Sequence, residues 1–185
     1  PTSITEIGES AFKGSGLKTI QIPENVTELG YQAFYGCSNL ETVTIPNTVS
    51  VTGNGLFTGC TNLTTVRLPA GMTTLGYNFF SGCTSLETID LPNSITVIKA
   101  WAFQGSGLKT IQIPENVTEL GKQAFYDCSN LETVTVPNTV TEIGSYAFGN
   151  CWNLKSITID RAEDKIIGKP WGAPGATTIK WTGTE

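Results

Sequence analysis

A proline recurs along this chain at nearly constant intervals, and this repeat constrains the fold more than any other feature. Consecutive prolines of the series are 22 or 23 residues apart, and the segments between them follow P-x-x-[VI]-T-x-[LI]-G-x-x-A-F-x-G-C-x-x-L-x-T-[IV]-x-[IL]. A period of this length is typical of solenoids, in which each unit forms one coil that stacks on the next. The chain therefore contains seven units, which begin at Pro1, Pro23, Pro46, Pro69, Pro92, Pro114 and Pro137.

Each unit ends in an alternating apolar segment, such as LETVTI at residues 40–45. Val43 and Ile45 alternate with threonine, as a half-buried strand requires. The spacing L-x-x-[IV]-x-[IL] is that of a leucine-rich repeat. A single strand cannot bury its apolar face alone, so we expect the seven copies to form one continuous parallel sheet.

A phenylalanine occurs once in every unit, usually after alanine, in a short segment that begins at glycine. We expect this segment to form a helical turn. The rings should stack as the second wall of the core, each stabilising the fold by about 1.5 to 3 kcal/mol through burial. They are Phe12, Phe34, Phe57, Phe80, Phe103, Phe125 and Phe148.

The five cysteines occupy one position of the repeat, so they should stack at a strand-like spacing of about 5 Å. This pattern favours buried, small apolar side chains over a metal site or a nucleophile, because a thiol in apolar surroundings stays protonated. A disulfide between neighbouring coils, Cys37 with Cys60 or Cys60 with Cys83, stays open at this point. The five residues are Cys37, Cys60, Cys83, Cys128 and Cys151.

Two larger features organise the chain. Residues 15–49 recur nearly unchanged at 106–140, an offset of four units that indicates a duplicated block. The period then fails, so we expect residues 1–159 to form seven leucine-rich repeats and residues 160–185 to form a C-terminal cap of the same domain. Trp171 and Trp181 should pack on the last coil. The chain starts at Pro1 without a signal peptide, so we expect a fragment of a longer protein.

Composition argues against several classes of function. The chain has no histidine, the commonest general base and metal ligand. We therefore expect that the chain is not an enzyme and that it binds neither a metal nor a cofactor. A net charge of −5 and scattered basic residues argue against nucleic acid as a partner. No apolar run approaches the roughly 18 residues of a membrane span, so we expect no membrane insertion by this chain. We expect a monomer.

The units resemble the BspA-like leucine-rich repeats, also called the treponeme type. The resemblance rests on runs such as VTELG at 26–30, AFYGC at 33–37 and LETVTIP at 40–46, and it covers residues 1–159. It implies a right-handed leucine-rich-repeat coil with a parallel sheet on its concave side, short helical turns elsewhere and a C-terminal cap. It also implies a secreted or cell-surface protein of a bacterium, in a family in which some members bind extracellular-matrix proteins as adhesins. The family shares no binding motif, so no functional residue is carried over.

Outward strand positions of such a coil face the concave side, and there the units differ. One row is almost uniformly threonine, which indicates a structural role through cross-strand pairs. The adjacent row varies most between units, and its members Thr44, Arg67, Asp90 and Gln112 are the candidate ligand-binding residues. In the alternative interpretation, Arg67 and Asp90 form a solvated cross-strand salt bridge that contributes little. The full row reads Gln21, Thr44, Arg67, Asp90, Gln112, Thr135 and Thr158.

The third and fourth units depart most from the common pattern, with GNGL at 53–56 and YNFF at 77–80. Tyr77 is either an aromatic anchor for a partner or a packing residue. The sequence thus predicts a non-enzymatic, adhesin-like interaction module that binds an unidentified host or extracellular protein or glycan. The alternative is a structural spacer or stalk that displays another domain.

Overall fold

The computed structural model describes residues 3–161, 166 and 170–183, and there the chain winds into a parallel-strand solenoid of about seven turns. Every described strand pairs in parallel with the equivalent strand one coil away, as between Thr42–Thr44 and Thr65–Arg67. The repeat therefore sets the path of the backbone, and the predicted solenoid with parallel strands is confirmed.

The described residues contain fourteen short strands and no helix. All units carry two strands except the fourth, which carries one. In chain order the strands are β1 (Glu6–Ile7), β2 (Thr19–Gln21), β3 (Glu28–Leu29), β4 (Thr42–Thr44), β5 (Val51–Thr52), β6 (Thr65–Arg67), β7 (Thr74–Leu75), β8 (Val97–Ile98), β9 (Thr110–Gln112), β10 (Glu119–Leu120), β11 (Thr133–Val136), β12 (Glu142–Ile143), β13 (Ser156–Ile159) and β14 (Thr178–Trp181).

The strands predicted from the leucine-rich spacing, together with β14 of the C-terminal segment, form what we call the front sheet, which has two parts ordered β2-β4-β6 and β14-β13-β11-β9. The expectation of one continuous sheet was wrong, because residues 88–90 of the fourth unit form no strand. Within the described chain, the amides of Thr88, Ile89 and Asp90 donate no backbone hydrogen bond. Aspartate is depleted in strands, and Leu91 stands where most units have a β-branched residue, so this segment is the weakest strand former of the series.

A second set of strands, the side sheet, was not predicted. It also has two parts, ordered β1-β3-β5 and β12-β10-β8-β7, with no pairing between β5 and β7. These two-residue strands come from the V-T-E-L runs, in which Glu28 is exposed and Leu29 is buried. Each coil thus has two short parallel walls instead of one.

The predicted helical turn at the phenylalanine segment was wrong. Two residues per coil take left-handed backbone angles there, for example Ser10 with φ 54° and Gly14 with φ 67° in the first unit. An L-residue in the left-handed region cannot continue a right-handed helix, so the chain makes successive tight turns. Their hydrogen bonds alternate: Lys13 N donates to Ser10 O at 3.0 Å within the coil, whereas Phe12 N donates to Ala33 O at 2.8 Å in the next coil.

These bonds between coils form a third line of contact, which we call the turn ladder. In each of the first six units three amides donate to the next coil, those of the two left-handed residues and of the phenylalanine between them. Phe80 N donates to Ala102 O at 2.7 Å, and at the end of the series Phe148 N donates to Trp171 O at 3.1 Å. Unlike the two sheets, the turn ladder is uninterrupted from the first unit to the cap in the part of the chain described.

The phenylalanine rings stack behind the turn ladder, as predicted. Neighbouring centroids are 5.3 to 5.7 Å apart, with interplanar angles of 1° to 19°. Six of the seven rings are fully buried, and Phe12 in the first coil is half-buried. Phe79, which replaces the usual alanine, adds an edge-on contact with Phe80 at 4.9 Å.

The C-terminal segment adds one more layer. Strand β14 pairs in parallel with β13, with Thr158 opposite Lys180. Trp171 is buried and Trp181 packs half-buried against the core, so both tryptophans cover the last coil as predicted. The apolar end of the stack is thereby shielded.

Replacing Phe80 with alanine should lower the free energy of unfolding by about 3 to 5 kcal/mol, because the substitution leaves a cavity in the middle of the stack. The matched change Phe12→Ala should cost clearly less, since that ring is half-buried and has one stacking neighbour. Urea denaturation of both variants tests this, and equal losses would contradict the described stack.

Asp127 occupies, with φ 62°, the left-handed position that glycine fills in the first five units. Asp127→Gly should therefore raise the free energy of unfolding by up to about 1 kcal/mol, because glycine removes the steric cost of a Cβ in that region. Asp127→Ala removes the same charge but keeps a Cβ, and it should be less stable than wild type. Thermal unfolding that ranks the glycine and alanine variants together would argue against a left-handed residue here.

Candidate interaction surface

The four candidate residues all lie exposed on the outward side of the front sheet or its gap. Thr44 on β4 is the register partner of Arg67 on β6. Gln112 on β9 is the register partner of Thr135 on β11. Asp90 lies in the gap between these two parts, so the row crosses the interruption of the sheet.

The gap brings two of the candidates together. Asp90 and Gln112 line one open cleft of about 230 Å³ between the fourth and fifth units. Ile89 and Leu91 in its wall are only partly buried, so apolar surface is accessible beside the carboxylate. The remaining lining residues are Asn93, Ile113, Pro114 and Glu115. Thr44 and Arg67 do not line this cleft; they belong to the neighbouring part of the sheet.

Arg67 and Asp90 form no salt bridge with each other, and neither makes an ion pair elsewhere in the described residues. The alternative interpretation of these two residues is therefore not observed. The ion pairs of the front sheet lie in an adjacent row, where Lys109 contacts Glu87 at 2.7 Å and Lys155 contacts Glu132. The hydrogen bond and the charge of Lys155 lower the pKa of Glu132. Both pairs are exposed and contribute little to stability.

The threonine row beside the candidates is regular. Thr19, Thr42 and Thr65 are consecutive register partners, and all three are exposed. Uniform, directly opposed threonines stabilise a sheet through cross-strand packing, by roughly 0.2 to 1 kcal/mol for each pair. The threonine row therefore stabilises the sheet that carries the variable row.

The cysteines serve the interior. All five are buried and free, so neither of the disulfides left open by the sequence is present. Each thiol donates to the carbonyl of the phenylalanine one coil before, as Cys60 Sγ does to Phe34 O at 3.2 Å. Burial raises the pKa of Cys60 to about 12 and that of Cys128 to about 11. A buried, protonated thiol is a poor nucleophile and a poor metal ligand.

Two further observations bear on function. In the described residues no group of three or more potential ligands converges on a metal position, and no helix is long and apolar enough to cross a membrane. The sequence left Tyr77 as either an aromatic anchor for a partner or a packing residue. Its side chain is 43% exposed, so it is not fully packed against the protein. Aromatic side chains that stay half open to solvent are candidates for contact with a partner.

Comparison with family models adds an independent result. The model described as the BspA type leucine rich repeat region matches in six copies, over residues 1–108 and 57–169. The chain belongs to the BspA-type leucine-rich repeat family. The resemblance inferred from the repeat is thus confirmed. The comparison with curated protein sequences finds no match.

Solved structures of bacterial leucine-rich repeat proteins share the fold of this BspA-type chain. A protein from Bacteroides ovatus is 30% identical, with a TM-score of 0.72, and the match covers 98% of this chain and 53% of that one. The T. pallidum leucine-rich repeat protein is 28% identical, with a TM-score of 0.77 and coverages of 92% and 83%. A leucine-rich cell surface protein from Faecalibacterium prausnitzii is 29% identical, with a TM-score of 0.58 and coverages of 89% and 60%. The chain therefore spans about half the length of the B. ovatus protein.

The buried thiols predict an alkaline limit to stability. Burial raises the pKa values of Cys60 and Cys128 in the folded state, so the contribution of these two thiols to stability is complete below the unfolded thiol pKa, near 9, and is lost as pH rises toward 11 or 12. Each such thiol should lower the free energy of unfolding by about 1.4 kcal/mol per pH unit in this window. Urea unfolding at pH 8, 10 and 11 measures the slope.

Cys60→Ser is the matched variant, because serine occupies the same repeat position at Ser15 and does not titrate in this range. Its alkaline slope should be shallower than that of wild type by the contribution of one proton. Identical slopes for the two proteins would show that Cys60 does not titrate as a buried thiol.

Proposed function

We propose that this chain is a non-enzymatic, adhesin-like interaction module that captures an extracellular or host protein or glycan on its front sheet. The observation that carries the proposal is the variable row of Thr44, Arg67, Asp90 and Gln112, exposed on an otherwise repetitive sheet. Repeat proteins commonly bind along such extended faces.

Charge supports the front sheet as the binding surface. Arg67 and Asp90 carry opposite charges in adjacent units without neutralising each other. Groups that already point into solvent can form ion pairs and hydrogen bonds with a partner, and such charges steer encounter and set register. The cleft beside Asp90 supplies apolar surface from Ile89 and Leu91 at the same place.

Family membership supports a location on or outside the cell. BspA-type repeats are typical of bacterial surface proteins, and the F. prausnitzii relative is described as a cell surface protein. We place this chain in the same compartment of a bacterium, as part of a secreted or surface-anchored protein. Leucine-rich-repeat solenoids are typically non-catalytic, which favours binding over turnover.

Binding of the purified chain to an array of extracellular-matrix proteins and glycans tests the proposal. The Arg67→Ala, Asp90→Ala double variant should lose at least about tenfold in affinity for the captured partner while its unfolding transition is unchanged. The Glu132→Ala, Lys155→Ala double variant is the matched control, because it also removes one charge of each sign from the front sheet. It should bind as wild type does.

The uniform threonine row supports one alternative, a spacer that holds another domain away from the cell. A spacer predicts no saturable capture by wild type. Capture that survives the Arg67→Ala, Asp90→Ala change would also overturn the proposed site.

A further inference from the structure

The side sheet changes character in the middle of the solenoid. Its outward row carries glutamate at both ends and uncharged side chains between, reading Glu6, Glu28, Val51, Thr74, Val97, Glu119 and Glu142. The sheet also opens there, since β5 and β7 do not pair, and a cleft of about 300 Å³ lies at the opening. The fold requires neither change, because the coils on both sides keep glutamate and paired strands.

Two exposed tyrosines lie along the same part of the molecule. Tyr31 and Tyr77 directly follow the glycine that ends the V-T-E-L run in the second and fourth units, and they are 47% and 43% exposed. Asn54 holds this position in the unit between them. At about 4.8 Å per coil, the two tyrosines are roughly 10 Å apart along the solenoid. None of the other units has an aromatic residue at this position.

Asn54 is held in place between the two rings. Its Oδ1 accepts a hydrogen bond from Tyr77 N at 3.1 Å, at the point where the side sheet lacks its ladder. Gly76 permits this approach, because a Cβ there would lie 2.9 Å from Asn54 Oδ1. The Nδ2 group of Asn54 has no partner among the described residues and is free to donate. A second cleft, of about 240 Å³, contains Tyr31 and shares Asn54 with the first.

The two clefts are polar but almost uncharged. Amides from Gln32, Asn54 and Asn78 contribute to the walls, and Lys99 is the one charged residue among the described lining side chains. Beside the second cleft, Lys13 Nζ lies 4.9 Å from the ring centroid of Tyr35. Planar amides offer both donors and acceptors to hydroxyl groups, and aromatic faces pack on apolar C–H surface. Sugar rings present both kinds of group. The near absence of charge disfavours an anionic ligand or a partner that binds through ion pairs.

We propose that Tyr31, Asn54 and Tyr77 form a binding site for a neutral, extended β1,4-linked glycan that runs along the solenoid. Successive rings of such a chain are spaced similarly to successive coils, so alternate rings meet the two tyrosines while Asn54 bonds to the ring between them. An α1,4-linked glucan curls and cannot keep this register. The site is separate from the variable row of the front sheet, and it does not depend on the function proposed there.

Isothermal titration with cellohexaose and β1,4-mannohexaose tests the proposal on the whole chain. We expect saturable binding of at least one of them, weakened at least about tenfold by Tyr31→Ala together with Tyr77→Ala. Tyr31→Phe together with Tyr77→Phe should stay within about threefold of wild type, because the ring faces remain. Trp152→Ala is the matched control, since Trp152 is 70% exposed and lies outside both clefts; its affinity should be unchanged.

Three results would overturn the proposal. The first is no binding of either β1,4-linked hexasaccharide. The second is binding of maltohexaose or of a sulfated heparin hexasaccharide that equals or exceeds the binding of the β1,4-linked hexasaccharides. The third is wild-type affinity in the folded double alanine variant. The Arg67→Ala, Asp90→Ala variant separates the two surfaces, because it should bind the glycan as wild type does whether or not the front sheet has a partner.

Discussion

The backbone hydrogen bonds of the turn ladder are the interaction on which the rest of this solenoid depends. Left-handed residues on either side of each phenylalanine direct three amides of each of the first six units to the next coil, and Phe148 of the seventh unit continues the series to the cap in the described residues. The stacked rings lie directly behind these bonds, and the cysteine thiols donate to the phenylalanine carbonyls. Coil is thus joined to coil along one edge, independently of the sheets.

Because that edge is continuous, the sheets do not have to be. The front sheet is interrupted at residues 88–90, and the side sheet is interrupted between β5 and β7. Both interruptions lie in the third and fourth units. These units also carry the departures from the repeat, including Leu56 and Phe79 at the alanine position. The regular units build the solenoid, and both surfaces for which we propose binding are centred on the third and fourth units. The two surfaces differ in chemistry, one with unpaired opposite charges and one nearly uncharged, which suits two different classes of partner.

The period predicts the coils, the phenylalanine stack and the burial of the cysteines, because each depends on a residue type that returns at one position. The packing of the two tryptophans was predicted instead from the need to cover the last coil. The side sheet was not predicted, because a strand of two residues is too short to show an alternation of apolar and polar residues. The helical turn was wrong because the left-handed angle of a residue such as Gln123 leaves no mark in a pattern of apolar positions. Residues 88–90 fit the strand pattern, and only Asp90 and the neighbouring Leu91, which is not β-branched, indicate the gap. The cleft that joins Asp90 to Gln112 depends on that gap, so the sequence could name these residues but not their grouping.

Native-state hydrogen exchange tests the central claim most directly, since one unit contains both kinds of amide. Phe80 N donates to Ala102 O in the turn ladder, whereas Ile89 N donates no backbone hydrogen bond in the described structure. We expect the amides of Phe57, Phe80 and Phe103 to exchange only through global unfolding, and the amide of Ile89 to exchange orders of magnitude faster through local opening. Equal protection of Phe80 and Ile89, or faster exchange at Phe80, would show that the turn ladder is not what holds the coils together.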